Sequence, residues 1–383
     1  MTPLRYLVPA ALRLSAHVLG ANLLASHYTG KIYSLLYGSN GSLAVTGSAT
    51  GCGLLPAWLH LDPESKTVYS VDESWYGSGL LASYTVDTNG VLTQTGSLAT
   101  KGASVHGTPY GGENGACDPS TLTTYELPLT EGASVLQMLQ FNMSAPGPNP
   151  RQNAPHPHST VLDPTGKFIV VPDLGADLIR VFSIDSATGN LTACAPGVAD
   201  PGDGPRHAAW WAPSVDSTAG QMLYTVNELG NSVSAWAVSY PDDGCLALTK
   251  QQTLSTYAAG TTPPDGSKAA EVHVAGDFLY AANRADQTFG AEQDSLATYA
   301  IDAASGAISW VEATNAHAWF PRTFSINAAG DLVAVGGQTS SNVAIISRNP
   351  ATGRLGGLVA SVLVATPGTE QQEDGLSAVI WVE

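Results

Sequence analysis

Few basic residues occur in this chain, yet several of them occupy related positions in segments that resemble one another. Of 383 residues only 15 are Lys or Arg, against 32 Asp or Glu. Arg206, Arg284 and Arg322 nevertheless fall at matching positions. A guanidinium group can hold a carboxylate or a phosphate through two parallel hydrogen bonds. This spacing therefore predicts a binding site for a small anionic molecule.

Histidine and glutamate side chains at related positions add proton-transfer chemistry. His158 and His273 could exchange protons near neutral pH, and Glu228 could act as an acid or base or orient an arginine. Together with the arginines they would favour a transition state that builds negative charge, such as an enolate. The structural alternative is that Arg and Glu at matched positions pair with each other and hold neighbouring repeats together.

The related positions form two columns through the repeats, and we expect both columns to face one cavity. The first column contains Ala57, His158, Arg206, His273 and Arg322. The second contains Glu73, Leu174, Glu228, Arg284 and Gln338. Tryptophans such as Trp75 and Trp210 lie beside the columns, where they fill the core or form an apolar wall of a pocket.

Other motifs give less support to a function. His156 and His158 are two residues apart, but no further ligands nearby complete a tetrahedral metal site, so we expect no metal. The chain contains no Gly-x-Ser-x-Gly elbow, P-loop or Gly-x-Gly-x-x-Gly fingerprint after a strand. Serine hydrolases, NTPases and dinucleotide-binding enzymes are therefore disfavoured.

A repeat with a period near 54 residues positions these side chains. Its anchor positions are separated by 101, 54, 56 and 54 residues, so one degenerate unit lies between residues 91 and 140. The anchors are Tyr69, Val170, Tyr224, Tyr280 and Ala334. Each unit alternates apolar and polar residues and contains a Thr-Gly or Ser-Gly turn, which indicates antiparallel hairpins. About four short strands per unit predict a blade of an all-β propeller.

Counting the units favours seven blades, with six as the alternative. The last blade would combine strands from both ends of the chain, residues 22–28 and 376–382, and would close the ring without an open edge. We therefore expect one propeller domain over residues 22–383.

Residues 1–21 resemble a secretory signal or leader, with an apolar stretch between basic residues. Sequons at Asn40, Asn142 and Asn190 agree with secretion. The four cysteines allow zero, one or two disulfides. The net charge of −17 disfavours nucleic acid and anionic lipid as partners, and no later segment is apolar over about 18 residues. The oligomeric state stays open.

Several motifs are similar to those of a known family. The motifs are Gly204-Pro-Arg-His207, Leu223-Tyr-Thr-Val-Asn-Glu228, Phe278-Leu-Tyr-Ala-Ala-Asn-Arg284 and Phe320-Pro-Arg-Thr-Phe324. They resemble the lactonase-type seven-bladed propellers, which include bacterial 6-phosphogluconolactonases and fungal carboxy-cis,cis-muconate cyclase. The resemblance extends from about residue 22 to the C-terminus and is greatest to the cyclase.

The resemblance implies a cofactor-free enzyme that makes or opens a ring through a C–O bond of a small, anionic substrate. It implies that four residues are catalytic: His158, Arg206, Glu228 and Arg284. The residues expected to bind the substrate are His273, Arg322, Glu73, His106, Trp75, Trp210 and Phe320. In the cyclase reaction, arginines would hold the carboxylates while an acid protonates the alkene carbon.

Two departures leave alternatives open. The third unit, around His106, has no clear inner strand, and a secretory leader suits intracellular aromatic catabolism poorly. A secondary-metabolite cyclase, for example one that guides a hetero-Diels–Alder closure, is therefore a second interpretation. A non-catalytic secreted glycoprotein or adhesin is a third, and a protein-binding scaffold is a fourth.

Overall fold

Short antiparallel strands make up the regular structure of the chain. The computed structural model describes residues 20–75, 79–111, 114–116, 120–130, 132–214 and 217–383. Most of the predicted leader, and Cys117, lie outside the described residues. The described part of the chain contains no helix, and hence none that is long and apolar enough to cross a bilayer. The predicted all-β propeller fold is confirmed.

The strands form seven separate sheets, of which the first three are as follows. Sheet 1 has the order β29 (Leu376–Val382), β1 (Ala21–His27), β2 (Lys31–Tyr37) and β3 (Leu43–Ala49). Sheet 2 has β4 (Pro56–Asp62), β5 (Thr67–Asp72), β6 (Gly79–Val86) and β7 (Leu92–Thr100). Sheet 3, the degenerate unit, has β8 (Thr108–Tyr110), β9 (Asn114–Ala116), β10 (Thr121–Glu126) and β11 (Val135–Gln140).

The other four sheets are more regular. Sheet 4 has β12 (Val161–Leu162), β13 (Phe168–Asp173), β14 (Leu178–Ile184) and β15 (Leu191–Ala193), with β16 (Gly197–Val198) also paired to β14. Sheet 5 has β17 (Pro205–Trp211), β18 (Met222–Asn227), β19 (Ser232–Ser239) and β20 (Ala247–Ser255). Sheet 6 has β21 (Lys268–Val274), β22 (Phe278–Arg284), β23 (Ser295–Ile301) and β24 (Ile308–Asn315). Sheet 7 has β25 (Pro321–Ile326), β26 (Leu332–Gly337), β27 (Asn342–Arg348) and β28 (Leu355–Leu363).

Sheet 1 joins the two ends of the described chain. β1 pairs antiparallel with β29, from Asn22 opposite Val382 to His27 opposite Leu376. This is the strand pair that the sequence predicted.

The hydrophobic core is divided among the interfaces between sheets. Seven clusters of buried apolar residues each join two consecutive sheets, and one of them joins sheet 7 to sheet 1. Middle strands such as β13 and β18 are buried on both faces, which explains their nearly continuous apolar sequences. Outer strands such as β7 face solvent on one side and alternate.

The two signatures of the repeat, the anchor tyrosine and the turn glycine, meet between sheets. The hydroxyl of Tyr224 donates to the carbonyl of Gly306 at 2.7 Å, and that of Tyr280 donates to Gly353 at 2.6 Å. Both glycines have a positive φ, and a Cβ on either would lie within 2.3 Å of a neighbouring side chain. The turn glycine therefore allows close packing of one sheet on the next.

Candidate active site

A cavity of about 450 Å³ lies where the innermost strands begin. All five residues of the second column line this cavity: Glu73, Leu174, Glu228, Arg284 and Gln338. Arg284 ends the second strand of its sheet and the other four directly follow theirs, so the repeat places all five around one space. The column identified in the sequence therefore forms part of the cavity wall.

The first column is split between the cavity wall and the protein interior, although three of its members lie at the same β-bulge of their innermost strands. In sheets 2, 5 and 7 the register shifts at Ala57, Arg206 and Arg322, which have no cross-strand partner. A bulge turns a side chain away from the regular alternation and is common beside active sites. Arg322 reaches the cavity, whereas Arg206 is 1% exposed and lies outside the cavity wall. In sheet 6 the register shifts between Ala269 and Val272, and His273 pairs with Tyr280 beyond the bulge, so His273 is not at the equivalent position.

Glu228 is surrounded by guanidinium groups. Its Oε2 lies 2.9 Å from Arg206 Nε and 2.9 Å from Arg284 Nη2, and Arg151 pairs with its Oε1. Burial raises the pKa of Glu228, but the charges of Arg284, Arg151 and Arg206 outweigh that effect and hold it well below its ordinary value. Glu228 is therefore a carboxylate at neutral pH. Burial and the positive charges of Arg284 and Arg322 lower the pKa of Arg206 to about 9.

A second cluster of charged side chains, formed by Glu73 and Arg322, also lines the cavity. Arg322 Nη2 lies 3.2 Å from Glu73 Oε2, and the same oxygen accepts a hydrogen bond of 2.5 Å from the Tyr28 hydroxyl. All three residues are buried. Tyr28 directly follows β1, so sheet 1 contributes to the site through a residue that the repeat columns do not contain.

His158 lies at the cavity wall just before β12, and its backbone N–H donates to the Pro172 carbonyl. Burial first, and then the positive charges of Arg206 and nearby residues, lower the pKa of His158 well below its ordinary value. The imidazole is therefore neutral at pH 7 and can accept a proton.

Phe320 also lines the cavity and is held in an unusual backbone conformation. Its φ is +61°, which is rare for a bulky residue, and its N–H donates to Asp294 Oδ2 at 2.7 Å. Its ring lies 5.1 Å from the guanidinium carbon of Arg284. The strained backbone thus places an aromatic face against a cavity arginine.

The structure places the remaining predicted residues as follows. Trp75 is 49% exposed and lines the cavity. Trp210 packs in the cluster between sheets 4 and 5, and His106 is buried with its ring stacked 4.2 Å from Trp58. His273 is partly exposed and packs edge-on against Phe324. Trp210, His106 and His273 therefore lie away from the cavity wall.

Sequence reasoning missed several cavity residues. Arg151 and Lys268 add positive charge, while Glu373 comes from the segment before β29. These residues lie in connections or at strand ends, where the repeat does not align. The cavity wall thus carries four Lys or Arg side chains against three carboxylates, in a chain of net charge −17. Among the residues that the structure describes, no group of three or more His, Cys, Asp or Glu is arranged to hold a metal ion.

Comparison with known families decides the class of protein. The family model described as "Lactonase, 7-bladed beta-propeller" matches residues 22–371. The chain belongs to this family. It is accordingly an enzyme of the lactonase type.

Named relatives cover most of the chain. A "Probable 6-phosphogluconolactonase" of Arthroderma benhamiae is 32% identical over 324 residues, covering 82% of this chain and 79% of its own. The 6-phosphogluconolactonase of Bacillus subtilis is 26% identical over 319 residues, covering 82% and 85%. The structure of the periplasmic gluconolactonase of Pseudomonas aeruginosa superposes with a TM-score of 0.77 at 26% identity, covering 95% and 99%.

Proposed function

We propose that this protein hydrolyses a small, negatively charged lactone in the cavity between Glu73 and Glu228. One observation carries the proposal: a neutral His158 shares a cavity of about 450 Å³ with Arg284 and Arg322, in a strongly acidic protein. A base and two anion-binding groups around one space are what ester hydrolysis requires. The names of the relatives suggest the lactone of a phosphorylated sugar acid.

In this mechanism His158 accepts a proton from water as the water oxygen bonds to the lactone carbonyl carbon. Negative charge then builds on the carbonyl oxygen, where Arg284 stabilises it. The bond to the ring oxygen breaks next, and His158 returns its proton to that oxygen. Arg322 and Lys268 hold the anionic group of the substrate.

Glu228 has a positioning role in this scheme. Its three arginine partners keep it ionised, so it is a poor proton donor at neutral pH. It instead orients Arg284 towards the substrate, with Arg206 supporting it from the protein interior. This selects one of the two roles that the sequence allowed for Glu228.

The interpretations as a muconate cyclase, a biosynthetic cyclase or an adhesin receive no support from the relatives, which are named as lactonases. Hydrolysis also needs no reactive partner besides water. We therefore retain lactone hydrolysis as the one proposed reaction.

The test is a hydrolysis assay with matched lactones. We expect 6-phosphogluconolactone to be hydrolysed with a kcat/KM roughly 10- to 100-fold above that of neutral gluconolactone, because a charge-assisted contact contributes about 1.5–3 kcal/mol. The preference should shrink in Arg322→Ala and persist in Arg354→Ala, whose exposed pair with Glu312 is remote from the cavity. Failure to open any lactone, with cyclisation of carboxymuconate instead, would overturn the proposal.

We also infer that the seven sheets close into one ring. The pairing of β1 with β29 and the apolar cluster between sheets 7 and 1 support this closure. Hydrogen exchange tests it, since β1 amides should be protected as strongly as those of β18.

We further propose that the protein enters the secretory pathway. Two observations support this: Cys194 and Cys245 form a disulfide, and the sequon residues Asn40, Asn142 and Asn190 are all exposed. Expression in a eukaryotic host should yield a protein whose mass falls on treatment with an N-glycosidase. An intracellular product with free thiols at both cysteines would contradict secretion.

A further inference from the structure

A row of titratable side chains runs from the cavity wall into the protein. The rings of His158 and His207 lie 5.2 Å apart, and His207 Nδ1 lies 2.9 Å from Glu271 Oε1. The same oxygen lies 3.8 Å from His273 Nε2. His207 and Glu271 are buried, whereas the His273 side chain is 37% exposed. None of the last three is needed by the mechanism above.

The row leads away from the cavity. Lys268, at the start of β21, lines the cavity, and His273 is five residues further along the same strand. A strand advances about 3.3 Å per residue, so His273 lies roughly 15 Å along the strand from the cavity residue Lys268. The exposed edge of His273 therefore meets solvent at a different place from the cavity mouth.

Three of the buried side chains in this row have a polar atom without a hydrogen-bond partner. Among the described residues, His158 Nδ1, His207 Nε2 and Glu271 Oε2 are buried without a hydrogen-bond partner. Buried polar atoms are normally paired with protein or with ordered water. Because His207 Nδ1–H donates to Glu271, its Nε2 is free to accept a proton from the His158 side.

Resting on the proposed function, we propose that His207, Glu271 and His273 form a proton path that carries the product proton from His158 to solvent. Hydrolysis of a lactone by water yields a hydroxy acid, which loses one proton at neutral pH to become a carboxylate. His158 takes this proton on the nitrogen that faces the product and releases the Nδ1 proton to His207 Nε2. His207 passes its Nδ1 proton to Glu271 Oε1, and Glu271 passes one to His273 Nε2.

The surroundings favour movement along this path. Arg206 and Arg322 both act electrostatically on His207 and Glu271, and the His106 ring lies 5.3 Å from His207. Because these neighbours disfavour a second proton on the His207 ring, a proton that arrives there is passed on. Burial raises the pKa of Glu271, which makes brief protonation of this carboxylate easier. While product fills the cavity, the product proton can thus reach solvent without passing the Lys and Arg side chains of the cavity wall.

The test compares kcat at low and at high concentrations of imidazole buffer. In Glu271→Gln, the amide oxygen can still accept from His207 but the side chain cannot carry a proton. We expect kcat to fall roughly tenfold at low buffer, to recover with added imidazole, and to leave KM unchanged. His273→Asn should behave alike, whereas His317→Asn, at a partly exposed histidine outside the row, should match the unaltered enzyme. Equal kcat in all variants at low buffer, or a loss that imidazole does not restore, would overturn the path.

A second measurement does not depend on turnover. Nitrogen-15 NMR of labelled histidine rings should show that protonating His273 shifts the His207 signals, and that Glu271→Gln removes this coupling. Absence of the coupling in the unaltered protein would overturn the path even if lactone hydrolysis is observed. Failure of the proposed function would instead appear as an unaltered protein that opens no lactone.

Discussion

Arg206 and Glu228 form a buried ion pair, with the Nε of the arginine 2.9 Å from Oε2 of the glutamate. The Nη1 of Arg206 also donates to the Ala270 carbonyl of sheet 6 at 2.8 Å. Arg206 thus links two sheets and supports Glu228 from the interior. This ion pair agrees with the structural interpretation that the sequence left open, whereas the functional role of Glu228 is part of our proposal.

Replacing Arg206 by Ala should destabilise the protein. The change leaves a cavity and removes one partner of a buried charge, for which the cost is about 3–5 kcal/mol. Urea denaturation should show this loss of unfolding free energy together with reduced activity. Full stability with lost activity would instead place the guanidinium of Arg206 on the substrate.

Replacing Arg284 by Ala should mainly affect turnover. Arg284 lines the cavity, and losing a donor to a developing negative charge costs about 10²–10³ in kcat. Arg284 borders the cavity, so its loss leaves space that water can fill, whereas the loss of Arg206 empties an enclosed site; the melting temperature should therefore fall less than in the Arg206 variant. Steady-state kinetics with circular dichroism melts check this, with Arg354→Ala as the control.

Acidification should destabilise the fold through its buried histidines. Burial lowers the pKa of His106 and His207 well below 6.5, so the unfolded chain binds protons that the folded chain does not. The free energy of unfolding should therefore fall as pH drops below about 6.5, by up to about 1.4 kcal/mol per pH unit for each histidine. Denaturation curves should give a shallower slope for His207→Gln. A slope equal to that of the unaltered protein would contradict the buried neutral state of His207.

Replacing Gly375 by Ala should disturb the cavity mouth. Gly375 has φ +83°, and a Cβ there would lie 1.9 Å from the Gln338 carbonyl oxygen. The clash must move the segment that carries Glu373, so both activity and stability should fall. Gly276→Ala is the matched control, because its φ is +59° but its Cβ would meet open space. Equal effects in the two variants would show that backbone strain alone, rather than the clash, is responsible.

Much of the fold could be predicted from the repeat. Its tyrosine and glycine signatures are the residues that join one sheet to the next, as Tyr224 and Gly306 show. The second column was also predictable, since a fixed distance after a regular strand places side chains at the same height in each sheet.

The rest depends on features without a sequence period. The bulge in β21 lies between Ala269 and Val272, so His273 is beyond it, and no pattern in the sequence reveals where the bulge falls. Arg151 and Glu373 reach the cavity from connections, and Tyr28 reaches Glu73 from a neighbouring sheet. Ion pairing between distant segments, as between Arg206 and Glu228, decides which arginine faces the cavity. The spacing of arginines in the sequence does not reveal these pairs.

The pairing of β1 with β29 has a consequence for biosynthesis. Tyr28, which holds Glu73 beside Arg322, directly follows β1, and its N–H donates to the Gly375 carbonyl just before β29. During synthesis β1 is made before the other strands of the described chain, and its partner β29 is made after all of them. Throughout that interval an unpaired strand edge is open to other chains, and a nascent polypeptide that already holds every arginine of the cavity is still incomplete. A stop codon that removes β29 would therefore leave β1 without its partner strand, and the exposed strand edge would be prone to aggregation.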